Sequence, residues 1–355
     1  MAVSKGKTWG IGALMGIVLG VVASAFAAAT VHAHERWFVE EGTHAGEAFA
    51  PEFTVLAAIA TSLGFLALAL VFTHTIWYRR MSAVAAPAQR FLPEGMEWRL
   101  IALLAGIMLI ADSINGVFLA PELRIAEGWL GLLALASQAF IGLLLLSQVS
   151  FALAGLLVLV AATPMALVAF SAGMLIDYLL EFGALGLALI FVGLSSCPDQ
   201  LACNMMKVNP RRFSHLPLPI IRIGLGLSLI VLAVHNKLAD PNFALTFLDE
   251  HDFNFVLALG FTGFSNLHFV FGAGLVELGL GVLLVAGVAT RITAAVLFGF
   301  FLATLFALGL PELLGHLPLF AIALALVYRG PGQFGLESMW ERTMHQKPLQ
   351  GLSQG

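Results

Sequence analysis

One carboxylate stands inside a long apolar run near the C-terminal end of the chain. This residue is Glu277, in the run 267–288. An ionisable side chain is costly in hydrocarbon, so such a residue is a candidate for function. Glu277 follows the start of the run by about ten residues, or ~15 Å of helical rise, which places its carboxyl near mid-membrane. A carboxyl group there is expected to be neutral, or to be paired with a cation or hydrogen-bond donors.

Three more polar residues lie at the outer ends of the neighbouring apolar runs, from which their side chains can extend toward Glu277. His235 and Lys237 follow the preceding apolar run, and His316 opens the last one. A quinone headgroup requires hydrogen-bond donors and a proton carrier beside an apolar slot, and these residue types supply both. The sequence therefore predicts that these three residues and Glu277 form one outward-facing catalytic pocket. The alternative is a packing ion pair between Glu277 and Lys237 or Arg291 that fixes helix register.

An acidic, histidine-containing segment, 34–51, is a second candidate site. If an export signal is cleaved after Ala33, His34 becomes the N-terminus, and its amine and imidazole can chelate one Cu(II). His44 would add a third nitrogen, since imidazole suits copper. The alternative is a solvated acidic segment with incidental histidines.

The composition is that of a membrane protein. Of the 355 residues, 60% are hydrophobic and 11% are charged, whereas a soluble domain carries about 25% charged residues. The mean hydropathy is +0.95. With a net charge of -4 and no basic patch, nucleic acid is not an expected partner, and membrane lipids are. Cys197 and Cys203 are too few for a disulfide framework and are expected to be free thiols.

The apolar runs predict an all-α, polytopic membrane protein. About nine membrane helices are expected in the mature chain, or about ten if the signal is retained. They are placed at 53–78, 100–119, 129–146, 151–172, 175–194, 219–234, 267–288, 293–310 and 317–328. A half-buried interfacial helix is expected at 253–264. Lys and Arg cluster in alternate loops, which predicts cytoplasmic N- and C-termini before any signal cleavage, in the cytoplasmic (inner) membrane of a bacterium.

The pattern divides the chain into seven segments. They are a signal peptide or first membrane helix (1–33), an exported segment (34–52), a helix with a basic linker (53–98), a first four-helix block (99–200), a loop (201–218), a second four-helix block (219–333) and a cytoplasmic tail (334–355).

The two blocks carry similar residues at similar spacing. Gln138 stands four residues before Gly142, as Glu277 stands four before Gly281. Both blocks start and end on the cytoplasmic side, so a parallel internal repeat is predicted. Because the first block has Gln where the second has Glu, any chemistry is expected in the second. The segment 180–183 is expected to open the fourth helix of the first block. Four polar residues of that block are expected at the outer ends of helices, where water solvates them: Asp112, Asn115, Asp177 and Glu181.

The second block also carries a longer motif, E-L-x-x-G-x-L-L-x-x-G-x-x-T-R, from Glu277 to Arg291. Arg222 opens the first helix of this block, Lys237 follows it, and Gly330-Pro331-Gly332 closes the block as a helix stop. With these residues the block resembles the DoxX/DoxD-like family of small four-helix membrane proteins. Some relatives are membrane subunits of thiosulfate:quinone oxidoreductase, and others belong to thiol or oxidative-stress systems.

The resemblance and the polar residues together predict an integral membrane subunit of a redox system. Its function would be the quinone-linked oxidation of a sulfur compound or thiol. A partner redox protein is expected, because no flavin, haem or iron–sulfur motif is visible in the sequence. Two alternatives stay open: a copper-handling membrane protein that uses His34 and His44, and a non-catalytic membrane scaffold. Whether the chain is an enzyme is therefore left open.

Overall fold

The structure is a computed structural model that describes residues 39, 42–73, 75, 93, 95–196 and 213–339. The predicted signal segment, His34, both cysteines and most of the basic loops lie outside the described residues. Within the described part the chain is helical and forms no β-sheet, with one antiparallel bridge between Val117 and Arg124.

Eleven helices follow one another in this part of the chain. They are α1 (Pro51–Thr73), α2 (Met96–Ile114), α3 (Trp129–Ser147), α4 (Phe151–Ala169), α5 (Ala172–Ser196), α6 (Pro217–Ala239), α7 (Asn242–His251), α8 (Phe255–Ala258), α9 (Asn266–Ala286), α10 (Thr290–Leu308) and α11 (Leu310–Arg329).

Six of these helices are long and apolar enough to cross a membrane: α1, α3, α4, α5, α6 and α9. Each has at least 18 residues, which at ~1.5 Å per residue approaches the ~30 Å of a hydrocarbon core. Large apolar side chains such as Leu68, Leu132 and Val168 point outward from them, a surface compatible with lipid contact. The predicted class, an all-α polytopic membrane protein, is therefore confirmed.

Two local expectations are wrong. The segment 253–264 holds only the four-residue helix α8, because Gly260 and Gly263 interrupt the apolar run, and the longer helix of this region is α7. Pro241 precedes α7 and fixes its entrance, and its apolar side chains at helical spacing are buried. The segment 180–183 does not open a helix, because α5 begins at Ala172 and includes it.

The long helices pack in pairs. In block one, defined as α2–α5, α2 packs on α3 and α4 on α5; in block two, defined as α6–α11, α6 packs on α9 and α10 on α11. The blocks meet through α5 against α6 and α11 against α2, so that the last helix of each block touches the first helix of the other. Helix α1 lies on α9.

Small residues allow the closest crossings. A Cβ atom on Gly281 of α9 would lie 2.8 Å from the carbonyl oxygen of Gly226 of α6, and the reverse distance is also 2.8 Å. Gly106 of α2 and Gly142 of α3 have the same reciprocal relation, at 2.9 and 3.0 Å. Close backbone approach of this kind stabilises helix pairs in membranes by van der Waals packing.

Arginines close the ends of two helices. The buried Arg222 donates from Nη1 to the carbonyl oxygens of Leu284 and Val285 in the last turn of α9. Arg291 donates to the carbonyl oxygen of Arg329 over 3.3 Å, at the end of α11. A cation at a helix C-terminus satisfies orphan carbonyl groups and complements the helix dipole. The predicted helix stop is confirmed, since Gly330, with φ of 81°, caps α11.

Two of the helices contain a single π-helical turn. One lies at Val158–Ala162 in α4 and ends two residues before Pro164, whose missing N–H and bulky ring disturb the regular ladder. The other forms Val234–Ala239, the last turn of α6, and carries His235 and Lys237. Such widened turns occur often at functional sites, because they change the direction of the side chains they hold.

We expect Gly281→Ala to lower the free energy of unfolding by about 1–3 kcal/mol, because the added methyl group has no room beside Gly226 and overpacks the crossing. Thermal unfolding in one detergent measures the effect. The matched control is Gly299→Ala on α10, where an added Cβ meets no atom within 4 Å; it should be neutral or slightly stabilising. Equal shifts for both variants would contradict the proposed role of the crossing.

Candidate functional site

A cavity of about 560 Å³ lies among the helices of block two. Its walls come from α6, α9, α10 and α11, with α7, α8 and the loops beside them at one end and Glu181 of α5 at one side. The lining is mainly apolar and contains seven phenylalanines: Phe247, Phe253, Phe255, Phe264, Phe269, Phe300 and Phe301. The polar side chains on the wall are Glu181, Lys237, Glu277, Thr304 and His316.

An ion pair forms the polar centre of this wall. The Nζ atom of Lys237 lies 3.0 Å from Oε2 of Glu277, and the two side chains are only 21% and 19% exposed. Gly274, one turn before Glu277, makes room for the lysine stem, since a Cβ there would lie 2.9 Å from Cβ of Lys237. The predicted inward orientation of Glu277 is therefore found, with Lys237 as its cation. This contact is expected both if the pair takes part in chemistry and if it only fixes the packing of the helices.

The two predicted histidines have different positions. His316, on α11, lines the cavity, and its ring centroid lies 5.2 Å from that of Phe301. His235 is buried in the same π-helical turn as Lys237 but is not among the residues that line the cavity. The structure thus brings Glu277, Lys237 and His316 to one cavity and leaves His235 behind its wall.

Glu181 joins the site although it was expected as a solvated boundary residue. It lies in the interior of α5, lines the cavity, and accepts a hydrogen bond of 2.6 Å from Oγ of Ser228 on α6. The signal that identifies it is the one used for Glu277, a carboxylate inside an apolar run. Asp112 is also buried rather than solvated, whereas Asn115 is exposed as expected. The Asp177 side chain lies outside the description.

Gln138, the block-one residue that the sequence pattern aligns with Glu277, is surrounded by protein. The buried Gln138 accepts a hydrogen bond of 2.7 Å from the Leu119 backbone N–H through its Oε1. Its Nε2 lies 3.1 Å from the carbonyl oxygen of Val117 and 3.2 Å from that of Leu109. The loop after α2 therefore packs onto this amide, with Phe118 fully buried.

The segment before α1 docks on α7, beside the cavity. The backbone N–H of Thr43 donates to Oγ1 of Thr246 over 2.9 Å, and that of His44 donates to Oδ1 of Asn242 over 2.7 Å. The His44 ring lies between two carboxylates, with Nδ1 2.9 Å from Glu47 and Nε2 2.7 Å from Asp249. Asp249 also accepts from Asn266 Nδ2 over 2.8 Å.

These contacts bear on the copper hypothesis only in part. The carboxylates flank opposite nitrogens of the His44 ring, so they do not converge on one ion, and the described residues contain no group of three or more metal-ligating side chains. His34, the other predicted ligand, lies outside the described residues, so copper binding stays a prediction.

The same contacts set the protonation of His44. The hydrogen bonds to Glu47 and Asp249 raise the pKa of the imidazole above its ordinary value of 6.5, with a smaller opposing effect of burial. A raised pKa in the folded state means that protonated His44 contributes stability below about pH 6.5. That contribution is lost as the pH rises through the higher folded value.

Comparison with protein-family models, with curated proteins and with solved structures finds no match to this chain. The resemblance of block two to the DoxX/DoxD-like family therefore depends on the motif residues alone.

We expect His44→Gln to lower the unfolding temperature more at pH 5.5 than at pH 8.5, because only protonated His44 forms the charged bridge to Asp249 and Glu47. Thermal unfolding of both proteins in the same detergent at the two pH values measures the difference. Glu47→Gln, which removes one partner carboxylate, should reduce the pH dependence without abolishing it. The same loss for His44→Gln at both pH values would contradict the bridge.

Proposed function

We propose that the protein is an integral membrane subunit of a redox system that binds a quinone in the block-two cavity. The single observation that carries this proposal is the Lys237–Glu277 ion pair, 3.0 Å long, on the wall of an otherwise aromatic and aliphatic cavity. An apolar cavity with a few convergent polar groups is the usual form of a small-molecule site, and about 560 Å³ lies within the usual range of volumes.

The lining fits the two parts of a quinone. Flat phenylalanine rings, among them Phe300 and Phe301, can pack on the faces of the flat quinone ring. Lys237 can donate a hydrogen bond to one ring carbonyl, and His316 can donate to the other, since both line the same cavity.

Proton handling falls to the residues of the wall. A quinone bound there would accept two electrons and two protons; two thiol groups would release them as they join in one S–S bond, and the partner protein would pass the electrons on. Glu277 can hold a proton on its carboxyl, and its partner Lys237 stabilises the carboxylate once that proton has left. His316 is the second proton carrier, because imidazole exchanges protons near neutral pH. The polar contact between Glu181 and Ser228 keeps a further carboxylate beside the cavity.

The thiol or other sulfur compound is proposed from the resemblance to the DoxX/DoxD-like family, in which such substrates occur. A partner protein completes the system, since the sequence carries no motif for a flavin, haem or iron–sulfur centre. The cavity end of block two would face outward and the arginine-capped ends inward, as the charge distribution of the loops favours.

We further propose that the two blocks are a parallel internal repeat within about nine or ten membrane helices. Three observations support it: the same helix pairing within each block, the reciprocal contacts between them through α5–α6 and α11–α2, and the glycine crossings Gly106–Gly142 and Gly226–Gly281. Gln138 and Glu277 would then be equivalent, with the first position closed by protein and the second open to a ligand. The ligand site lies in block two for this reason.

We expect Glu277→Gln to reduce the quinone retained by the detergent-purified protein about tenfold or more. The neutral amide no longer holds the Lys237 ammonium in the position from which it donates to the ring carbonyl. A hydrogen bond to a charged group contributes about 1.5–3 kcal/mol, and 1.4 kcal/mol corresponds to tenfold in affinity. Solvent extraction followed by chromatography measures quinone per protein, and thermal unfolding reports whether the variant is folded.

The matched control is Glu47→Gln, which neutralises a carboxylate outside the cavity and should leave quinone retention unchanged. Because Glu277→Gln leaves Lys237 without its anion, the pair Lys237→Met with Glu277→Gln tests folding without a lone charge. If both variants fold and retain quinone as the natural protein does, the redox proposal fails and Glu277 is a packing residue.

A further inference from the structure

The wall of the cavity is closed on one side and open on the other. The lining side chains of α6 and α11, such as Leu229 and Leu319, are buried. Three residues that line the same cavity are exposed: Val276 of α9 (49%), Phe300 of α10 (52%) and Phe255 of α8 (59%). Residues that face both the cavity and the outer surface mark its mouth, so the cavity opens sideways between α9 and α10, with α8 at one end of the opening.

The packing of these two helices leaves space for such a mouth. They are joined by a tight turn at residues 287–289, but α9 packs mainly on α6 and α10 mainly on α11, and contact between α9 and α10 is sparse. Small residues widen the gap on the α9 side, where Gly272 and Ala273 line the cavity. A Cβ added at Gly272 would meet only Phe264, 4.0 Å away.

The mouth lies at the depth of the lipid chains. Helix α9 is one of the candidate membrane spans, and Val276 is about ten residues from either end of it, or ~15 Å along the axis. Phe300 is likewise about ten residues into α10. Water-soluble molecules do not reach mid-membrane, whereas lipid-soluble molecules are concentrated there. The opening therefore faces the ligands that a membrane carries.

The cavity lining is apolar at the mouth and polar farther inside. Glu277 follows Val276 directly on α9 and pairs inside the bundle with Lys237. The mouth itself is apolar, with Val276 and Phe300 on its two edges. An amphipathic molecule can therefore place its head at the ion pair while its chain passes between α9 and α10.

We infer that the cavity takes a lipid-soluble molecule with one polar head and a long apolar chain, and that this molecule enters from the membrane between α9 and α10. The inference rests on the proposed function in that it concerns the same cavity, and it adds the class of the ligand's tail and its route. The head lies against the Lys237–Glu277 pair, and the chain leaves through the mouth toward the lipid.

Val276→Trp tests the inference, because a large side chain at the edge of the mouth narrows the path of the chain but not the space for the head. The probes are a benzoquinone headgroup without a chain and the same headgroup with a decyl chain, titrated into the full-length protein in detergent. We expect Val276→Trp to weaken the decyl probe at least about tenfold, since burial of several methylene groups is lost. The chainless probe should change less than about twofold.

Val296→Trp is the matched control. Val296 is 50% exposed on α10 and does not line the cavity, so this variant should alter neither probe. A second measurement uses a photoreactive alkyl probe in lipid nanodiscs, and labelled peptides are identified by mass spectrometry. Labels should fall on the mouth residues of α9 and α10 and should decrease in Val276→Trp but not in Val296→Trp.

The possible outcomes separate the two proposals. If the natural protein binds neither quinone probe but the alkyl probe labels the mouth, the quinone assignment fails and the lateral chain site stands. If both quinone probes bind equally well and Val276→Trp affects neither, the chain site fails and the headgroup site stands. Loss of both probes in Val276→Trp with normal folding overturns the assignment of the mouth to the chain alone.

Discussion

The Lys237–Glu277 ion pair is the constraint on which the rest of block two depends. A single charge inside an apolar bundle is expensive, and removing one partner of a buried pair costs more than the pair contributes. The helices must therefore bring the two charged groups into contact, and Nζ of Lys237 lies 3.0 Å from Oε2 of Glu277. The π-helical turn at the end of α6 and the bare backbone at Gly274 provide that geometry. The first feature departs from regular α-helical geometry and the second leaves out a side chain, and together they allow Lys237 and Glu277 to meet.

The glycine crossing of α6 and α9 holds the register of this pair. Contact between Gly226 and Gly281 fixes how the two helices slide and rotate against each other, and Arg222 locks the far end of α9 through its last carbonyl groups. Close packing at this interface contrasts with sparse packing of α9 on α10. One face of α9 is thus rigidly positioned, and the opposite side is left with room for a ligand.

The sequence predicted most helices and the main polar residue for simple physical reasons. Apolar runs of membrane length define helices, and the cost of burying charge singles out Glu277. It could not predict features that depend on helix rotation, which is set by packing between distant segments. His235 and Lys237 are two residues apart, so their side chains leave the helix on different faces, and only Lys237 reaches the cavity. Glu181 was placed at a helix end because the start of α5 was assigned too late.

The two blocks differ in the connection between their first two long helices, α2 to α3 in block one and α6 to α9 in block two. In block one this connection is short, and its backbone at Val117 and Leu119 satisfies the Gln138 amide directly. A neutral amide can be satisfied by backbone groups alone, so no space or cation is needed there. In block two the connection is longer and includes α7, which lies at the end of the cavity. The carboxylate of Glu277, which the proposed repeat aligns with Gln138, requires a cation, and Lys237 supplies it at 3.0 Å. Under the proposed repeat, the change from amide to carboxylate and the longer connection act together: the carboxylate demands a charged partner, and the longer connection places α7 at the end of the cavity that this pair lines.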